Sequence, residues 1–161
     1  MRIPFILLNA VAVTGLAACA TYSSPQPYGG PAYGGPAYSG VLVTTASKAP
    51  FGTYLVDGGG RALYILEGTR GTPGERCGGE CLRVWPPLHA SAPSAAGGSV
   101  DPARLAAIRA HGQTQVTYGG WPLFYYHHDR RPGDTTGQHV MDRWGSWHLL
   151  SPSGEPIRPM R

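Results

Sequence analysis

The sequence predicts an all-β domain in which two tandem hairpin-based repeats pack as a small sandwich or partly closed barrel, with one short connecting helix. Three observations predict it. The first is an internal repeat. VDGGGRALYIL at 56–66 aligns with VTYGGWPLFYY at 116–126. Val56 meets Val116, Gly59 and Gly60 meet Gly119 and Gly120, Leu63 meets Leu123, and Tyr64 meets Phe124, each sixty residues on. With one residue dropped, Pro73-Gly74 meets Pro132-Gly133 and Trp85 meets Trp144. The second observation is that β-rich runs in both copies are broken by glycines that tolerate positive φ. The third is that only DPARLAAIRAHG carries a full set of helix signals.

Each copy opens as a hairpin. GTYLV and ALYIL flank DGGGR in the first, and QTQVTY and WPLFYY flank Gly119-Gly120 in the second. Repeat one spans about 51–90 and repeat two about 112–155, within a domain at 41–161. The second copy closes on GSWHLLSPSG, where Trp147 and Leu149 alternate with His148 and Leu150 as in a strand. SAPSAAGGS at 91–99 reads as a loop. The helix is placed at about 101–111: Asp101 caps it, Pro102 suits its first position, Leu105 and Ile108 give an apolar face, and Gly112 ends it.

The N-terminus carries an address. Arg2 precedes an apolar stretch from Ile3 to Leu16, too short to span a bilayer and followed by small residues. Leu16-Ala17-Ala18-Cys19 resembles a bacterial lipobox, which implies removal of residues 1–18 and diacylglycerol on Cys19. Ordinary secretion with cleavage nearby is the alternative. Each buried methylene of such an anchor adds about 0.8 kcal/mol. In an enteric-type bacterium, Ala20 in place of a retaining Asp would send such a lipoprotein to the outer membrane, which is the expected address, facing the periplasm. Residues 19–40 follow as a tether, with YGGPA twice in tandem and tyrosines at Tyr28, Tyr33 and Tyr38. Gly, Pro and Ser forbid a packed core there, and about 20 such residues span roughly 25 Å.

Net charge is +4, with charged residues at 14% and the basic ones scattered. No basic run or helix argues for nucleic acid. Of three cysteines, Cys19 is assigned to lipid; Cys77 and Cys81, in CGGEC, can close a small disulfide loop. The alternative is a copper or redox site. Reduced, Cys77 and Cys81 are soft ligands suited to Cu(I), and His127 and His128 stand among six histidines. A C-x-x-x-C with a distant histidine is similar to the site of Sco-type copper-delivery proteins, but the βαβ pattern of their fold is absent. No G-x-S-x-G, H-E-x-x-H or S-x-x-K occurs, and no acid pair is placed for glycoside hydrolysis, so no catalysis and no cofactor are expected.

The segments GRALYIL…CGGECLRVWPPL and QVTYGGWPLFYYHHDRRPGDTTGQHV…W resemble the bacterial secreted repeat named for a Yx(FWY)xxD motif. The resemblance covers roughly 51–155. The second copy carries the motif as Phe124, Tyr126 and Asp129; the first keeps Tyr64 but has Leu66 and Thr69. It implies an envelope address and a fold, and no activity. Tyr64 and Phe124 are expected in the core. On the alternating strand, Trp121, Leu123 and Tyr125 share one face, and Phe124 and Tyr126 the other. Trp121 and Tyr125 beside Arg130 and Arg131 are the candidate face for a glycan, a small ligand or an envelope protein; burial between the repeats is the competing reading. Asp129, followed by RRPGD, is expected to order a turn.

Overall fold

The computed structural model describes residues 40–72, 76–92 and 94–159. The signal segment, Cys19, the tether and Pro73-Gly74 lie outside them. The described residues fall within one compact unit, Pro36–Arg161.

Among the described residues, nine strands make three small sheets. In the first, β1 (Leu42–Lys48) pairs antiparallel with β2 (Gly52–Asp57) and parallel with β4 (Ala95–Ala96). In the second, β9 (Gly145–Leu149) lies between β3 (Tyr64–Leu66) and β8 (Met141–Asp142). In the third, β6 (Gln113–Tyr118) lies between β5 (Leu105–Ala110) and β7 (Trp121–Pro122). α1 (Glu80–Val84) is about one turn and a half, starting at the end of CGGEC and running past it. The arrangement is sandwich-like and all-β, and among the described residues no barrel closes.

Alternation sorts the core into two layers. Leu63, Ile65, Val116, Trp121 and Leu123 join Leu55, Leu88 and Leu150 in one cluster. Tyr64, Leu66 and Phe124 join Tyr54, Trp85, Trp147 and Leu149 in the other. The central strands are therefore buried on both faces. Tyr64 and Phe124 are 0% and 1% exposed, the interior positions expected of them.

The two copies are related by a local pseudo-twofold axis. Tyr64 and Phe124, equivalent in the repeat, pair with each other: each N–H donates to the other's carbonyl, at 2.8 and 2.9 Å. Around that bridge the bonds come in matched sets. Glu67 N donates to Ser146 O as His127 N donates to Val84 O. Leu55 N donates to Leu150 O as Val116 N donates to Leu88 O. Ile65 lies opposite His148 as Tyr125 binds Pro86. β9 thus closes the first repeat's hairpin, and the extended segment Pro86–Ala90 closes the second's.

These sets correct two alignments. Trp85 corresponds to Trp147 and not to Trp144, which sits in the β8–β9 turn. Leu55, not Val56, corresponds to Val116: Leu63 N donates to Leu55 O and Leu123 N to Val116 O. The cause is turn length. Three glycines separate Asp57 from Arg61, but only Gly119 and Gly120 separate Tyr118 from Trp121. The shorter turn has φ of 55° and 84° at its two glycines, the sign that a two-residue primed turn needs.

The connecting helix is also corrected. Asp101 Oδ1 does accept from Ala103 N at 2.9 Å and Pro102 does start a turn, but it is a single 3₁₀ turn, Pro102–Arg104. Leu105–Ala110 then runs as β5, paired along its length from Leu105↔Tyr118 to Ala110↔Gln113. His111 and Gly112 turn this hairpin with φ of 50° and 77°. A helix of so few residues is marginal alone, and the ladder offered by β6 overrides its alanine-rich propensity. The α-helix of the described residues is α1. Ala95–Ala96 in the expected loop, and β1 ahead of the first repeat, are added strands.

Gly120→Ala places a Cβ at φ +84° and should cost about 1 kcal/mol or more; urea unfolding of the purified domain measures it.

Candidate functional site

The centre of the molecule is an aromatic cluster on the pseudo-axis, held by two aspartates. α1 ends at Trp85, and β9 carries its counterpart Trp147. The indoles stack at 3.9 Å with 7° between planes. Both Nε1–H groups donate to one atom, Asp142 Oδ2, at 2.9 and 3.0 Å. Asp142 Oδ1 accepts Trp144 N and Gly145 N, so the same side chain shapes the β8–β9 turn. Tyr126 stacks on Trp85 at 4.2 Å. Tyr64 meets Trp85 edge-on at 5.6 Å, and Phe124 meets Trp147 edge-on at 5.3 Å.

The family motif acquires a physical meaning here. The Tyr64 hydroxyl donates to Asp129 Oδ2 at 2.6 Å, from one repeat to the other. Asp129 Oδ1 takes Thr136 N and Oγ1, and Gly137 N donates to the Tyr64 oxygen. Burial first, then the Asp129 bond and charge, raise the Tyr64 phenol well above its ordinary range. A Cβ on Gly137 would stand 2.9 Å from Tyr64 Cζ, so only glycine fits. The symmetry mate of this bond would join 124 to 69. Phe124 has no hydroxyl, and Thr69 has no carboxylate and turns its Oγ1 to Leu66 O. Both halves of the mate are missing together.

The proposed ligand face is placed differently from its expected neighbours. Trp121 is 7% exposed, donates to Gly154 O and lies under Arg70, whose guanidinium is 5.6 Å from the ring. Tyr125 donates to Asp57 Oδ2 at 2.9 Å, with the Arg61 guanidinium 3.9 Å from its ring. Burial, then the Asp57 charge and bond, push its phenol up. The arginines over these rings are thus Arg61 and Arg70. Arg130 and Arg131 are exposed on a turn whose backbone N–H groups both donate to Asp134 Oδ2. Asp134 orders that turn, while Asp129 points inward.

His127 and His128 also lie in a turn. Their rings are 3.7 Å apart, and His127 Nδ1 faces Val84 O at 3.2 Å. Cys77 and Cys81 form a disulfide, with both residues buried. A disulfide offers no thiolate to copper, and among the described residues no group of three or more histidine, cysteine or acidic side chains is arranged to hold a metal.

Asp142 and Asp57 were not singled out from sequence. The available signal for Asp142 was an isolated acid in MDRWGSW, ahead of two tryptophans, in a chain poor in charge.

Residues 105–151 match a family model described as a secreted repeat of unknown function. The match runs from β5 through Ser151 and includes Phe124, Tyr126, Asp129, Asp142 and Trp147. The match thus lies in the second half of the chain, and the first half repeats the backbone pairing of that half about the pseudo-axis. No curated protein and no solved structure matches the chain.

One titrating group sits on β9. His148 is buried, its Nδ1 has no hydrogen-bond partner, and its Nε2 is 3.7 Å from Glu67 Oε2. Burial lowers its pKa, and Glu67 only partly opposes this. Glu67 is itself lowered, chiefly by the bond from Arg158.

Two outcomes follow from these bonds. Asp142→Ala leaves two buried indole N–H groups without an acceptor, at about 1–3 kcal/mol each; Asp142→Asn, which keeps an acceptor, should lose less, both read by urea unfolding. Because the folded state disfavours protonated His148, its contribution is complete above the ordinary value of 6.5 and declines as pH falls below it. Stability profiles should therefore slope downward on acidification from that point, and His148→Leu should flatten the slope.

Proposed function

We propose that the chain is a lipid-anchored protein of the bacterial cell envelope whose folded domain binds or braces without catalysing. The observation that carries the domain's role is the use of its acids. Asp57, Asp129, Asp134 and Asp142 each accept two or more hydrogen bonds from backbone or aromatic partners. These are bonds that hold a scaffold rather than poise an acid and a base. The secreted-repeat match and the Cys77–Cys81 bridge support an oxidising, exported setting. Leu16-Ala17-Ala18-Cys19 supports acylation of Cys19, and Ala20 supports the outer membrane. No helix among the described residues is long and apolar enough to cross a membrane, so attachment in this reading comes from the acyl chains.

Labelled palmitate supplied to expressing cells should enter the wild-type chain and be absent from Cys19→Ala, which should leave the membrane fraction. Label retained in that variant overturns the anchor.

A further inference from the structure

The tip of the β8–β9 hairpin joins three side chains with one chemistry. Met141 is 80% exposed; the other exposed large hydrophobic among the described residues is Leu42, at 41%. Arg143 is exposed, with its guanidinium 4.5 Å from the Trp144 ring, and Trp144 is half-buried against the second core cluster. The turn is held in shape: Asp142 accepts Trp144 N and Gly145 N and is itself fixed by Trp85 and Trp147.

A thioether, an indole and a guanidinium on one rigid turn match the layers of a lipid surface. An unbranched apolar chain enters the acyl boundary, an indole rests at headgroup level, and a cation meets phosphate. We infer that this hairpin tip docks the domain onto an anionic lipid surface. The inference rests on the lipoprotein reading only for the presence of a bilayer. An anchor joined to the domain by about 20 residues keeps lipid at high effective concentration, so a weak contact suffices. The positive net charge of the chain favours an anionic leaflet. A protein partner fits less well, because a stable interface takes about 800 Å² from each side, and one turn offers a small part of that.

The test uses the chain from Ala20 to Arg161, which lacks the acylated cysteine, with vesicles of phosphatidylglycerol and phosphatidylethanolamine. Trp85, Trp121 and Trp147 are buried, so a change in tryptophan emission reports Trp144. Emission should shift to the blue and the protein should sediment with the vesicles, more weakly with phosphatidylcholine alone. Arg143→Ser should weaken binding about fivefold, the weight of one cation near an anionic surface. Met141→Ser should reduce the blue shift. Both residues are exposed, and unchanged melting temperatures would confirm that the fold is retained. No binding to anionic vesicles, or binding untouched by both variants, overturns the proposal. Cys19 takes no part in this measurement, so its outcome is independent of palmitate labelling.

Discussion

Asp142 Oδ2 is the acceptor on which the centre of this domain depends. Two indoles stacked face to face do not hold that geometry by ring attraction alone, since aromatic pairs favour offset or edge-on packing. A shared acceptor supplies the missing constraint. It fixes α1 through Trp85 and β9 through Trp147, and the other carboxylate oxygen fixes the turn between β8 and β9. The disulfide at Cys77–Cys81 then confines the short helix from its far side. Two stretches of chain, 57 residues apart at Trp85 and Asp142, are tied at one carboxylate.

That carboxylate also breaks the symmetry of the two halves. It serves both equivalent tryptophans, and the second repeat provides it. The same asymmetry runs outward. Tyr64 and Asp129 form one cross-repeat bond, while Phe124 and Thr69 have neither group of its mate. A buried hydroxyl without its carboxylate, or the reverse, would leave an unmet polar group at a cost of about 1–3 kcal/mol. Lacking both avoids it.

The sequence made the repeat legible because Gly-Gly turns and alternating apolar residues survive in both copies. Tyr64 and Phe124 could be placed inside, and Trp121, Leu123 and Tyr125 could be put on one face, from period two alone. What stayed hidden was set by distant partners. Leu105–Ala110 reads as a helix start because Asp101 and Pro102 are genuine capping residues; only β6 makes the rest a strand. The pairing of Trp85 with Trp147 was obscured by Trp144, which lies nearer the spacing that the glycines suggest. The roles of Asp142 and Asp134 depend on the folded backbone, which brings Trp85 to one and the Arg130 and Arg131 N–H groups to the other.

The exchange of closing segments has a consequence for when the domain can fold. β3 pairs along its length with β9, which lies near the C-terminus, and its bridge to Phe124 also comes from the second repeat; the extended segment Pro86–Ala90 waits for β6 and Phe124. A chain that still lacks its last segment cannot lock its first half. The topology thus withholds cooperative folding until the whole polypeptide is present.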